Sequence, residues 1–498
     1  MSNFFQEKNF KISNSCPYRD EEVDFSEFYE IQTMGYETPK KNIFKSSFNQ
    51  LNQLSPHSVA HKAKWSWKLL QIMKPVLAPL LIVTSLSLLI LLVFILDNRL
   101  AESTSKRSLC GGSCEMSLVE SIPENLTYPK GSPLFPSTYS AWQHLLDNAE
   151  KSIDLVVFYW SLRNDDVTPI KMNSSWEGEA IFDHLLDIEL LKISQIHIFV
   201  KMIAKLLEKE GAEIRSVDFD RILGAGVLHT KMWIVDDRNM YLGSANMDWQ
   251  SLTQVYWILG QNSSKIPPKW PSELSTRFNA LTPMKLTLSG HKSDVFLSSS
   301  PLPFNPNGRT NDIDTVLSII SHADKFVHIA VMDYFPRFLY AEKTTFWPII
   351  DDELRRAALN KRVKVKLLAS HWNHTREDMV RWLKSLQDLS GKNWPSISIE
   401  TKLFVVPTFS KEQSELPFAR VNHNKYMVTD KSAYIGTSNW SGDYFTNTAG
   451  VSVSVSEDSK GNETLSSAGN DSSLREQLEA LFERDWNSPY AKPLQEFL

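Results

Sequence analysis

His229-Thr230-Lys231-Met232-Trp233-Ile234-Val235-Asp236 has a second copy in the same chain, His423-Asn424-Lys425-Tyr426-Met427-Val428-Thr429-Asp430, so the spacing His-x-Lys-x4-Asp occurs twice. Each copy runs on into a second polar cluster, Gly243-Ser244-Ala245-Asn246 and Gly436-Thr437-Ser438-Asn439. The residues after each lysine are strand-like, and His and Lys two apart on a strand point to one face. An imidazole can attack phosphorus or protonate a leaving oxygen, while an ammonium and an amide can hold phosphate oxygens. A carboxylate can orient an imidazole. Two such sets make one symmetric pocket for a phosphodiester.

The repeat extends outward from the motifs. A helix pattern and an alternating strand at 142–157 return at 316–331. Second strands are expected at 196–200 and 363–368, amphipathic helices at 203–210 and 377–386, and third strands at 212–217 and 399–406. Alternating strands and helices predict an α/β fold: two tandem pseudo-symmetric α/β/α sandwich halves forming one catalytic unit. The halves then diverge. After Asn439 the sequence predicts a strand at 449–455, a loop and a helix at 474–482, whereas after Asn246 the chain reaches Tyr256-Trp257 almost at once. The first half therefore lacks a strand and a helix, and the loop 369–376 of the second half has almost no counterpart between its second strand and helix. A splice variant or gene-model error is the simplest account of the shortening.

The 498 residues carry a formal charge of -5, so no standing positive field gathers a polyanion and any such substrate is held by local contacts. Protonating the 12 histidines would make the net charge positive, which favours polyanion binding in an acidic compartment. The apolar, uncharged run 75–96 is long enough to span a hydrocarbon core of roughly 30 Å and predicts a transmembrane helix. The sequence before it, 1–74, is acidic, polar and without apolar period, as expected of a disordered cytosolic tail. Glycosylation sequons at Asn125, Asn173, Asn262, Asn373, Asn439, Asn462 and Asn470 all follow the span, which puts the rest of the chain in a lumen or outside. Asn439, inside the second motif, is expected to be too enclosed to carry a glycan. Cys110 and Cys114 are expected to be oxidised and could pair with each other. The expected organisation is a tail 1–74, a span 75–96, a lumenal stalk 97–135, a first half 136–290 and a second half 291–498.

In the catalytic reading His229 is the nucleophile and His423 the acid, with the reverse assignment nearly equivalent by symmetry. The resulting phospho-histidine is hydrolysed by water that the second histidine activates. Lys231, Lys425, Asn246 and Asn439 hold the non-bridging oxygens, and Asp236 and Asp430 suit the fixing of histidine tautomers, a task that a partner strand of the opposite half could also take. No cofactor or metal is required, and a lysine between two putative ligands disfavours one. Phe158-Tyr159-Trp160 and Tyr334-Phe335, at the ends of equivalent strands, are either base-stacking surfaces or core. Lys361, Arg362, Lys364 and Lys366 read as a solvated strand face rather than a nucleic-acid track.

The strings Val227-Leu228-His229-Thr230-Lys231, Gly243-Ser244-Ala245-Asn246-Met247-Asp248-Trp249, Val421-Asn422-His423-Asn424-Lys425-Tyr426-Met427-Val428-Thr429 and Gly436-Thr437-Ser438-Asn439-Trp440-Ser441 resemble the phospholipase D superfamily. With Leu118-Val119-Glu120-Ser121-Ile122-Pro123 they look like its type II membrane branch, and the resemblance runs from about residue 110 to the end. It implies a lysosomal or endosomal enzyme that removes nucleotides from the 5′ end of single-stranded DNA or RNA, and implies some lipid transphosphatidylation. It also implies a further segment of roughly twenty residues between Val255 and Tyr256, with an acidic residue near the pocket and a cysteine pair, matching the gap in the internal repeat.

Three functions compete at this point: a single-strand 5′ exonuclease, a phospholipid transphosphatidylase using the same intermediate with an alcohol acceptor, and a membrane-tethered protein that holds phosphate without turnover, a catalytically impaired form. Both half-sites lie in one chain, so the chemistry needs no dimer, and a homodimer stays open.

Overall fold

The computed structural model describes residues 114–190, 195–198, 213–214, 217, 219–253, 270–341, 343–391, 394–457 and 472–498. The expected tail, the expected span at 75–96, the helix expected at 203–210 and the sequons at Asn262, Asn462 and Asn470 lie outside the described residues. Among the described residues no helix is long and apolar enough to cross a membrane.

Among the described residues the mixed α/β fold is built on two large sheets, with a two-stranded pair of Trp160–Ser161 and Met247–Asp248 beside them. In the first, helix α1 (Thr138–Asp147) starts where the Ser137 hydroxyl accepts the Ser140 N–H, and it buries Trp142 and Leu146. Strand β1 (Ser152–Val156) follows with alternating burial, then helix α2 (Trp176–Leu190), β2 (Gln195–Ile198), β3 (Glu213–Ile214), β4 (Met232–Val235) and β5 (Asn239–Leu242). The sheet order is β3-β2-β1-β4-β5, with the first three strands parallel and β4 antiparallel to both β1 and β5.

The second sheet is larger. Its elements are β6 (Met284–Leu288), β7 (His291–Ser300), helix α3 (Asp312–His322), β8 (Phe326–Val331), α4 (Ile349–Lys361), β9 (Lys364–His371), α5 (Glu377–Gln387), β10 (Ile399–Val405), β11 (Lys425–Thr429), β12 (Ser432–Gly436), β13 (Gly450–Glu457), α6 (Leu474–Trp486) and β14 (Ala491–Pro493). The order β10-β9-β8-β11-β12 repeats that of the first sheet, strand for strand and direction for direction. β8 is buried along nearly its whole length because helices cover both faces. Val327 and Ile329 pack with Ile320, Leu354 and Leu383 on one side, while Ala330 packs with Leu478 and Phe482 of α6 on the other. Ser473 and Glu476 form a reciprocal cap that starts α6.

After β12 the second sheet continues through β13 to β7. Among the described residues no strand pairs with the outer edge of β5, which is the edge of the first sheet.

Two boundaries differ from the sequence expectation. β6 pairs antiparallel with β7, which puts Met284–Leu288 in the second sheet and moves the division between halves ahead of residue 291. The stretch expected to be a stalk is, from Cys114 on, packed against the second sheet. Leu118 and Leu126 are buried beside Phe404 and Tyr426, Glu120 pairs with Arg484 at 2.8 Å, and Tyr128 donates to Asp485 at 2.9 Å. Two apolar side chains and a buried ion pair give that segment enough contact to be held. Cys114 is disulfide-bonded, and the other two cysteines lie outside the described residues.

Candidate active site

β4 and β11 carry the two motifs, and each lies antiparallel beside the equivalent strand of its own sheet, β1 or β8. That pairing sends Asp236 and Asp430 to the far end of the strand from the histidines, on the order of 20 Å along an extended chain. The Asp236 carboxylate accepts the backbone N–H groups of Glu150 (2.8 Å), Lys151 (2.6 Å) and Ser152 (2.9 Å), and Asp430 accepts those of Asp324 and Lys325, both at 3.0 Å. The expectation that these aspartates fix histidine tautomers is corrected: they tie down the starts of β1 and β8, where entering strands leave N–H groups unpaired.

His229, Lys231, His423 and Lys425 come together, Asn439 joins them through Asp333, and Asn246 is buried beside Tyr159 in the first half. The two imidazole centroids are 6.5 Å apart. His229 is set by the opposite half of the chain: its N–H donates to the Ala449 carbonyl at 2.8 Å, and the Ala449 N–H donates to Val227 at 2.9 Å. Gly226 makes the approach possible, with φ +97° and a backbone so near Asn447 that a Cβ would sit 2.0 Å from its carbonyl oxygen. Phe158 and Tyr444 present ring edges to His229 at 4.7 and 5.1 Å. His423 is more open and its Nδ1 lies 3.0 Å from the Ser244 carbonyl oxygen. Lys231 Nζ donates to the His229 carbonyl at 2.5 Å, and Lys425 Nζ to the His423 carbonyl at 2.9 Å, the same contact in each half. Asn246 and Asn439 are buried, each with its Oδ1 unpartnered, as is His229 Nδ1.

Residues 131–262 and 255–409 match the family described as PLD3/4, PLD-like domain. The chain is 43% identical over 413 residues to the 5′-3′ exonuclease PLD3 of Xenopus laevis, covering 77% of this chain and 81% of that protein. It is 42% identical over 429 residues to human 5′-3′ exonuclease PLD3, covering 80% and 84%, and 40% identical over 412 residues to mouse 5′-3′ exonuclease PLD4, covering 77% and 80%. The chain belongs to the phospholipase D-like family, in its PLD3/4 branch.

In this phospholipase D-like site burial dominates the electrostatics. Both histidines titrate well below the usual imidazole range: burial comes first, then the neighbouring ammonium groups of Lys231 and Lys425, with His423 adding to the effect on His229. The Thr437 and Ser244 carbonyls oppose that shift at His229 and His423 respectively. Lys231 is lowered by burial and by Lys425, and Lys425 by burial against the pull of Asp333. The free pocket therefore holds neutral imidazoles and reluctant cations, a set that an anion would complete. The gain in positive charge expected from protonating all the histidines is correspondingly smaller, since burial also holds His328 down to about 4 and lowers His371. Among the described residues no three His, Cys, Asp or Glu side chains gather as a metal site.

Asp333 and Tyr444 were not singled out from the sequence. Asn439 Nδ2 donates to Asp333 at 2.9 Å and to the Tyr444 hydroxyl at 3.2 Å. Burial pushes the Asp333 carboxyl up to about 6, against Lys425 and Arg376. The signal was present in Ile329-Ala330-Val331-Met332-Asp333, an acid directly after a buried apolar run. The equivalent position in the first half is Tyr159, whose hydroxyl donates to Asp248 at 2.9 Å. Of the aromatic runs read as base-stacking surfaces or core, Tyr159, Trp160, Tyr334 and Phe335 are core, and Phe158 is a buried wall over which Lys231 Nζ sits at 4.6 Å. Asn439 is buried, as expected of a sequon inside the motif. In the basic run, Lys366 pairs with Glu483 and Lys361 bonds the carbonyls of Ser321 and Ala323.

Proposed function

We propose that this chain is a 5′-3′ exonuclease of single-stranded nucleic acid that cleaves phosphodiesters through a phospho-histidine. The observation that carries the reading is the pair of imidazoles 6.5 Å apart, each with the lysine of its own motif donating to its carbonyl. A tetrahedral phosphorus fits between them, with attack from one side and departure from the other. The names of the relatives, 5′-3′ exonucleases PLD3 and PLD4, supply the direction and the substrate class. His229, the more enclosed ring, suits the nucleophile. His423, the more open one, suits the acid that protonates the leaving oxygen and then takes a proton from water. Lys231, Lys425, Asn246 and Asn439 hold the non-bridging oxygens as charge shifts in the transition state. We further propose a type II membrane protein anchored by residues 75–96, with its catalytic part in an endosomal or lysosomal lumen.

The test is to incubate the full-length protein at acidic pH with single-stranded oligonucleotide labelled at either end, and separately with phospholipid plus a primary alcohol. Stepwise release of nucleotides from the 5′ end supports the reading. Alcohol-dependent lipid exchange without nucleotide release would replace it with transphosphatidylation.

A second reading, reduced activity of this shortened chain, is favoured by one cavity. A space of about 190 Å³ borders His423 and Lys425 and is lined by Gln250, Ser251 and Leu252, among others. Those three correspond to Asp443, Tyr444 and Phe445 in the second half, where Tyr444 and Ala449 instead close on His229. The family match also breaks into two segments that meet at 255–262, around the Val255–Tyr256 junction. A missing segment at that junction accounts for both observations.

A further inference from the structure

A pocket with a pseudo-dyad treats both ends of a phosphodiester alike, yet a strand has direction, so whatever fixes polarity must break the symmetry. The loop between β9 and α5 does so together with Phe418, which stands where the first half has Gly224. The loop carries Trp372 and His374, whose rings meet edge to face at 4.7 Å. His374 in turn stacks on Phe418, from the turn that leads into the second motif, at 4.5 Å and 23° between planes. His374 and Phe418 are exposed, and a Thr375 hydrogen bond to the Trp372 N–H at 2.9 Å shapes the turn.

This cluster adjoins the phosphate pocket. Trp372 packs on Met332, the neighbour of Asp333, and on Val421, two residues before His423. The Met332 N–H donates to the Asn424 carbonyl at 3.0 Å, and the Asn422 N–H to the Ser370 hydroxyl at 3.1 Å. Arg376, exposed at the end of the same loop and 3.9 Å from the Asp378 carboxylate, is near enough to act on the Asp333 carboxyl. Phe418 has φ +56°, an unfavourable conformation for a bulky residue that persists only where the surroundings impose it. Two residues on, Arg420, itself at φ +59°, bonds the carbonyls of Pro407 (3.0 Å) and Glu124 (3.1 Å).

We propose that Trp372, His374 and Phe418 form a platform on which a nucleobase next to the scissile phosphate stacks, and that this one-sided platform sets the direction in which a strand enters. The proposal rests on the nuclease reading for its substrate. Stacked rings with a cation alongside are the sequence-tolerant way to hold a single strand. Asn373 stands between the two loop aromatics as an exposed sequon, so the protein is compared with and without endoglycosidase treatment.

The test uses full-length protein and the variants Trp372→Ala and Phe418→Ala. A phosphorothioate oligonucleotide with 2-aminopurine at its 5′ end reports stacking by fluorescence quenching, and bis(p-nitrophenyl) phosphate, an ester without a base, reports the phosphate pocket. Each variant is expected to lose quenching and to bind the oligonucleotide about tenfold more weakly, with the loss on the oligonucleotide at least about tenfold larger than on the small ester. Quenching and affinity retained in both variants, or equal losses on both substrates, would overturn the platform. If the wild type hydrolyses neither substrate but quenches in a Trp372-dependent way, the nuclease reading fails and the platform stands. Absence of quenching in the wild type overturns the platform whatever the nuclease result.

Discussion

His423 Nδ1 lies 3.0 Å from the main-chain carbonyl of Ser244, so the imidazole of one motif is oriented by the backbone of the other. A carbonyl only accepts, which keeps one proton on Nδ1 and leaves Nε2 as the atom that gives its proton to the leaving oxygen and then takes one from water. Thr437 holds the corresponding position beside His229 and acts on it in the same sense, although His229 Nδ1 falls outside hydrogen-bond geometry. The two half-sites therefore assemble only when both halves are folded against each other.

Because Asp236 and Asp430 accept backbone N–H groups at strand starts, Asp236→Ala and Asp430→Ala should act on stability. Losing such a cap costs about 1 kcal/mol, so melting temperature falls while kcat stays within about threefold. Thermal melts and turnover on one oligonucleotide check this. A hundredfold loss of kcat at unchanged melting temperature would restore the tautomer role.

Lys231 and Lys425 are buried, each ammonium donates to the carbonyl of its own motif's histidine, Lys231 Nζ also sits over the Phe158 ring, and the Asp333 carboxyl acts on Lys425. Lys231→Met and Lys425→Met should lower kcat/KM by about 10²–10³, the scale of a lost transition-state donor. Neither should lower the melting temperature, since a buried charge is replaced by an apolar chain of similar length. Unchanged kcat/KM would remove the lysines from phosphate binding.

Asp333 competes with substrate for Lys425 and Asn439. Its pKa is raised to about 6, so it is neutral below that pH and ionised above it. An ionised Asp333 repels phosphate, hence KM for oligonucleotide should rise as pH climbs through 6. Tyr340, Tyr444, Arg376 and Lys425 are the other polar or charged groups acting on or beside this carboxyl. Asp333→Asn keeps an acceptor for Asn439 and should flatten the rise, by about tenfold in KM one unit above the midpoint. A variant whose KM follows the wild-type pH dependence would clear Asp333 of this part.

Gly226 lets the chain pass Asn447 and deliver His229 to Ala449. Gly226→Ala should reduce kcat by at least about tenfold, because a displacement of 1 Å at a catalytic group is costly. It should also lower the melting temperature, since the added Cβ is strained at that φ. Wild-type kcat in a folded variant would show that His229 is placed by other contacts.

Much of this site was legible because strand periodicity and spacing are local. His229 and Lys231 had to share a face, and the doubled motif required a second half of like design. The alternating runs likewise located β1, β8, β9 and β10 to within a few residues. What escaped depends on contacts distant in sequence. Nothing local to Asp236 says that its carboxylate turns back to Glu150, Lys151 and Ser152, and Asp333 gains meaning only beside Asn439. Leu118 and Leu126 read as sparse apolar residues in a polar stretch until α6 and β11 supply the surface that buries them. The aromatic run at 158–160 could not be divided into wall and core from sequence, since that depends on which residues lie over Lys231.

The central claim is a covalent bond between phosphorus and one imidazole, and the most direct measurement is intact mass spectrometry of acid-site variants quenched at high pH during turnover. With His229 as nucleophile, His423→Asn incubated with an activated phosphodiester, whose leaving group needs no proton, accumulates an acid-labile adduct mapping to His229, and His229→Asn accumulates none. An adduct on His423 alone would exchange the two roles. Steady turnover by His229→Asn with no adduct on either histidine, at wild-type rate, would contradict the mechanism.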